Sequence, residues 1–323
     1  FQAEDGIRDS VASRGLGDVY KRQPIFCLMK HILIVITLIA SLLAAGGESQ
    51  RKKKDYHYNL KKFDSFRAYI DFGIGKLNLG PGQRRYILTG SIDYDKSLMA
   101  PNVSLTSQNN IAKLNIDIKA DMRFGDDNGN FSIDDLNINK DDNNYKINFQ
   151  MPTRIATDMH LDFGLGEAEL DLTNLRISQL KMDCGLSDVR MRVSKPNRID
   201  CDIVEISTGI SDYDGKELGN LNSSKYIIDV GLGSANIDFT GDLDQDTNLN
   251  ISVGLGSLEL LLPDHVNIKL TVDSGLLSSI DVRGLVSKGD GHYESKDWHE
   301  RWSTIDGQIS VGLGSVDVDV EKN

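Results

Sequence analysis

Cysteine is scarce in this 323-residue chain: three copies, none spaced C-x-x-C. That excludes a disulfide-dense small scaffold and the usual cysteine zinc sites. Cys27 lies upstream of the expected start, so only Cys184 and Cys201 could pair. Cys184 falls on a core position of the repeat described below, so a buried free thiol is the expectation for it. Catalytic signatures are missing as well. There is no G-x-S-x-G elbow and no H-E-x-x-H. His57, His160, His265, His292 and His299 are scattered, which supports neither a zinc set nor a triad, and turn or surface histidines are expected. No cofactor and no metal is expected. Sustained helical periodicity is absent over 63–323, apart from a short turn near 294–302.

Long apolar runs are almost absent too. The one clear run, 32–45, has 14 residues, where a membrane span needs about 20. It follows Met29, Lys30 and His31 and precedes Ala44, Ala45, Gly46 and Gly47, the pattern of an export signal. No cysteine follows closely, which disfavours a lipid anchor. Arg51, Lys52, Lys53 and Lys54 lie just beyond, and positive charge there opposes translocation. A cleaved signal at 29–46 is the first expectation, and an uncleaved anchor at 32–45 the alternative. The segments 2–9 and 13–23 resemble translated sequencing-adapter and transposon-end sequence, with 10–12 in the place of an index. Residues 1–28 are therefore set aside as adapter and upstream sequence.

Basic residues are outnumbered, 36 against 48 acidic. Without 1–47, which hold five basic and four acidic residues, 31 and 44 remain, a net charge of −13. Such a surface disfavours nucleic acid and anionic lipid as partners. Solubility is its ordinary purpose.

What is abundant is one phrase. It reads DFGLGEAELDL at 162–172, DVGLGSANIDF at 229–239, SVGLGSLELLL at 252–262 and SVGLGSVDVDV at 310–320. Looser copies begin at 71, 183, 207 and 273. The opening glycines fall at 164, 185, 209, 231, 254 and 275, spaced 21, 24, 22, 23 and 21 apart. Gly312 follows after 37 residues and Gly73 precedes by 91. Apolar residues alternate on both sides of the glycines, Leu161, Phe163 and Leu165, then Ala168, Leu170 and Leu172. Period-two alternation predicts strands with one buried face, and the step of three predicts a glycine corner between them.

Units of about 22 residues that cannot bury their own faces predict an all-β, parallel β-helix-like solenoid. Ten to twelve rungs at about 4.8 Å would give a rod of roughly 50 Å. An antiparallel β-sandwich is the alternative. The expected organisation is a basic linker at 47–62 and a solenoid at 63–323, divisible into 63–146 and 147–323. In a parallel register Glu169 and Asp171 should lie beside Arg190 and Arg192.

The glycine phrase is not a nucleotide loop, because a strand and not a helix follows each copy. DDNGN at 126–130 lacks the glycine and glutamate of a calcium loop and reads as a tight turn. One constellation stands out. Asp71, Asp162, Asp183, Asp229 and Asp273 each precede the residue before the first glycine and should form an outward carboxylate column, interrupted by serines. The column suggests a cation or ligand site, or a polysaccharide groove. The plainer expectation is that each aspartate accepts hydrogen bonds from its own corner backbone. Trp298 and Trp302, in the insertion before Gly312, are expected either to close the core end or to contact a sugar or partner.

The stretch 147–193, INFQMPTR…HLDFGLGEAELDLTNLRISQLKMDCGLSDVRMRV, resembles the toastrack-type domains. These occur in adhesin-like proteins of unknown function and in LiaF-like membrane proteins of the cell-wall-active-antibiotic response. The phrases at 226–323 look similar. The resemblance implies a bacterial envelope-associated β-solenoid and transfers no functional residue. Function is accordingly expected to be a non-enzymatic scaffold, adhesin-like or sensory module, periplasmic, cell-surface or secreted, with an envelope protein or a cell-surface glycan as partner. The alternative is a carbohydrate-binding or polysaccharide-cleaving protein that uses the outward aspartates.

Overall fold

The computed structural model describes residues 51–96, 101–118, 146–275 and 278–321. The export signal, the adapter-like residues and the DDNGN turn lie outside them. The described chain is β throughout, with a single 3-10 turn at Leu218–Leu221.

Five long strands carry the repeat in order: β7 (Ala156–Asp171), β8 (Arg176–Arg192), β9 (Ile203–Lys216), β10 (Lys225–Asp238) and β11 (Thr247–Leu262). Each pairs in parallel with the next, and equivalent residues of the phrase face each other, as in Phe163↔Cys184 and Val230↔Val253. Glu169↔Arg190 and Asp171↔Arg192 are neighbours, as the parallel register requires. The solenoid is thus the architecture, and the sandwich is not.

Both ends depart from simple winding. β2 (Ser65–Pro81) pairs with β7 on one side. On its other side lies a split rung made of β5 (Ile111–Ile118) and β6 (Lys146–Met151), which come later in sequence. At the far end β16 (Thr304–Val320) inserts between β11 and a second split rung, β12 (Asn267–Ser274) with β13 (Ser278–Val282). Among the described residues nine parallel rungs result, eight steps or about 38 Å, where ten to twelve were expected. The 91- and 37-residue gaps are explained by these insertions.

Antiparallel strands finish each end. β3 (Tyr86–Asp95) pairs with β6, and β1 (Arg51–Asn59) pairs with β3. β4 (Asn102–Gln108) forms a two-residue hairpin with β5 through Asn109 and Asn110, both with positive φ. β15 (His292–Ser295) pairs with β12, and β14 (Leu285–Gly289) pairs with β15. Residues 51–59, expected within a basic linker, are therefore the edge strand of the sheet. Its first five residues are exposed. A run of lysines on an edge discourages pairing with another chain.

The core fills the angle between the two halves of every rung. Phe72 and Phe163 stack at 5.3 Å between centroids. Tyr226 packs edge-on against Phe239 at 4.6 Å, and its hydroxyl donates to the Leu218 carbonyl at 3.0 Å. Cys184 and Cys201 are both buried free thiols. Burial pushes Cys184 up to about 12 and Cys201 to about 11.

Turns between rungs are stitched by asparagines. Asn197 donates to the Ile177 and Leu221 carbonyls, and Asn220 donates to Val193 while accepting from the Asp242 amide. Each such bond satisfies a backbone group that the ladder leaves open.

Candidate functional site

The corner face is built by the glycine phrase. A Cβ placed on Gly164, Gly185, Gly209, Gly231, Gly254 or Gly312 would sit 2.3–2.7 Å from the carbonyl oxygen of the first glycine one rung away. The opening glycine is thus fixed by close approach of stacked backbones. The second glycine supplies the bend: Gly233 has φ +131° and Gly256 +152°. Ser187 and Ser211 replace it in β8 and β9 without positive φ. The corner was expected between the two apolar triplets, and the second glycine lies there.

From β8 onward the central hydrophobic residue of the corner turns outward, whether or not a positive φ follows it, against the expectation that these positions join the buried set. Leu186, Ile210, Leu232, Leu255 and Leu313 are 36–50% exposed. They stand in register on adjacent rungs, and the column stops at Leu186, because the next two members, Leu165 and Ile74, are respectively partly buried against the core and buried in it. Leaving a leucine half exposed forgoes about 1 kcal/mol. A sequence signal for this did exist. Counting back in steps of two from the buried Leu172, Leu170 and Ala168 skips Leu165 and places it with outward Glu167 and Glu169.

The aspartate column is present as geometry. Register links Asp71, Asp162 and Asp183 directly, then Ser207, Asp229, Ser252, Ser310 and finally Asp273. Asp117 in β5 joins it beside Asp71, a member that the missing glycine phrase concealed. Adjacent carboxylates at about 4.8 Å repel by about 1 kcal/mol in water, which a paired sheet tolerates. Asp162, Asp229 and Asp273 are exposed, and Asp71, Asp117 and Asp183 half-buried. Partial desolvation raises the Asp229 carboxyl, Glu205 adds to this, and a hydrogen bond from Ser252 opposes it. That bond comes from the next rung, where the Asp229 corner backbone was the expected donor.

Next to the column the first rungs are engaged with one another. His160 stacks on Tyr69 at 4.8 Å and lies 3.0 Å from Asp158, which Arg67 also meets at 3.3 Å. Lys181 bridges to Glu205 at 3.3 Å. Among the described residues, no three His, Cys, Asp or Glu side chains converge as a metal-ligand set.

Beyond the corner lies a groove of about 980 Å³, lined by the second half-strands of β2, β7, β8 and β9, by β6, and by the antiparallel β1 and β3. Asn78, Asn148, Gln150, His57 and Tyr86 line it. Its charges are largely matched: Lys76 to Glu169 at 3.0 Å and Arg192 to Asp171 at 2.6 Å. Burial opposes ionisation of Asp171, yet Arg192 and Thr173 hold its carboxyl below the usual range. Sequence reasoning missed this groove, because strands far apart in the chain form its walls.

The two tryptophans do not plug the core. Trp298 and Trp302 are 45% and 37% exposed, with Lys269 over the Trp298 ring at 5.1 Å. Asn267 anchors their loop by donating to the His299 and Trp302 carbonyls.

No curated protein matches the chain. Among solved structures, a candidate cell adhesion protein from Clostridium sporogenes ATCC 15579 shares 16% identity. That alignment covers 84% of this chain and 100% of the other, with a TM-score of 0.43. A candidate adhesin from Bacteroides fragilis NCTC 9343 shares 12%, over 84% and 97%, with a TM-score of 0.36. One from Parabacteroides merdae ATCC 43184 shares 10%, over 84% and 98%, with a TM-score of 0.37. The family model described as the N-terminal domain of toast_rack, DUF2154, matches residues 46–214. Those 169 residues (214 − 46 + 1) exceed half of the 323, and the chain belongs to the toast-rack N-terminal domain family.

Proposed function

We propose that this chain is an exported, non-enzymatic interaction module of the bacterial envelope, adhesin-like, working as a scaffold or sensor through its corner face. One observation carries the reading. The same outward positions recur on successive rungs in exact register, so the chain displays lines of like side chains where an enzyme would gather unlike ones. A line suits an extended partner, and catalysis needs a cluster. Crosslinking in the native envelope, with the purified chain as bait, tests the proposal. A specific partner retained at physiological salt is the expected result, and the absence of any envelope partner would overturn it.

A second reading, carbohydrate binding or cleavage, is favoured by the amide-lined groove and by the contiguous run Asp71, Asp162 and Asp183. It requires Asp162→Ala or Asp183→Ala to abolish turnover of a polysaccharide while the thermal melt stays unchanged. A chain that neither binds nor cleaves any glycan in a broad panel removes it.

A further inference from the structure

The corner face carries two kinds of line, and their combination specifies a partner. Resting on the interaction-module reading, we infer that the outward leucine column docks a cationic amphipathic α-helix of another protein, laid along the stack across the strands.

Spacing selects the helix. From Leu186 to Leu313 the exposed column makes four rung steps, about 19 Å. An amphipathic helix repeats its apolar stripe about every 5.4 Å, close to the rung repeat of about 4.8 Å, and about 13 residues cover the length, so a 16-residue helix spans it. An extended strand repeats on one face every 6.6–6.8 Å or so, and falls out of step within two rungs.

Charge selects the flanks. Asp162 and Asp183 border the column on one side. Glu167, Asp188 and Asp212 border it on the other. Lys76 and, one rung further out, Lys146 are in register with those; Lys76 is already shared by Glu167 and Glu169, and Arg190 pairs with Asp188 at 3.0 Å. A helix with lysine or arginine on both margins of its apolar stripe meets opposite charge on both margins here. A second copy of this face, or an anionic surface, meets like charge.

A fluorescein-labelled 16-residue Leu/Lys peptide with a single apolar stripe serves as the probe, read by anisotropy on the full chain. Its comparators are the same composition scrambled and a Leu/Glu peptide of the same pattern. The striped Leu/Lys peptide should bind at least tenfold tighter than either comparator. The double variant Leu186→Ser with Leu232→Ser should weaken it at least tenfold. Asp183→Asn with Asp212→Asn should weaken it several-fold and flatten its salt dependence. If the double leucine variant melts early, Leu255→Ser at the most exposed position carries the same test. Equal binding of the scrambled peptide, or full binding by the leucine variants, overturns the inference. A native envelope partner that still crosslinks to the leucine variants would also overturn it, and would leave the interaction-module reading standing.

Discussion

The middle of the stack and its two ends solve different problems with the same alternating pattern. From β7 to β11 every strand has a parallel neighbour on both sides, and one glycine phrase repeated in register suffices. At the ends a parallel edge would remain open, a template for unwanted pairing. There the corner phrase is broken, the rung splits in two, and short antiparallel strands take over. The contrast teaches that the phrase is a device for stacking. Where there is nothing further to stack on, it disappears.

The largest effect separating the regions should come from glycine. Gly231→Ala drives a Cβ to 2.5 Å from the Gly209 carbonyl oxygen, and should cost about 4 kcal/mol by urea unfolding. Gly289→Ala in β14, with φ +91° but open space, should cost about 1–2 kcal/mol. Equal losses would break the distinction between stack and end.

Asparagine makes the next contrast. In the stack Asn220 works through its side chain, so Asn220→Gly should cost about 2 kcal/mol by orphaning buried backbone groups. In the β4–β5 hairpin Asn110 works through its backbone, φ +61°, so Asn110→Gly should be neutral to within about 0.5 kcal/mol.

The two sides of the corner should differ in pH response. Asp171 is held below its usual value, so its contribution is full above that value and fades as pH falls below it. Asp171→Asn should therefore flatten the acid limb, by under about 1 kcal/mol for so exposed a pair. Asp229 is raised, so its ionisation opposes folding at neutral pH and its protonation on acidification recovers stability. Asp229→Asn should raise the neutral-pH melting temperature slightly. The same sign for both variants would contradict these assignments.

The smallest expected signal is chemical. Cys184 and Cys201, buried and raised, should alkylate only at the rate of unfolding, with no difference between them in the native chain. Fast labelling of Cys201 alone would show that its turn opens independently of the stack.

Much of this was legible in advance. The glycine spacing announced a solenoid, and alternation placed Phe163, Val230 and Val253 in the core. It also placed Glu169 and Asp171 beside Arg190 and Arg192, and lined up the five aspartates. The misses have two causes. The outward leucines were legible only if the alternation is counted back from the second apolar triplet, since counting on from the first puts them on the buried face. Asp117 and the groove depended on β5 and β6 returning beside β2, across sequence separations that local pattern cannot register.

The sequence by itself determined the rung: its length, its buried face and the site of its corner, because these follow from side-chain period and from glycine's lack of a Cβ. Tertiary structure alone decided the order of the rungs at each end and the closing of the groove. Those follow from which backbones come to lie side by side, and hydrogen bonding between strands is indifferent to how far apart in the chain they were made.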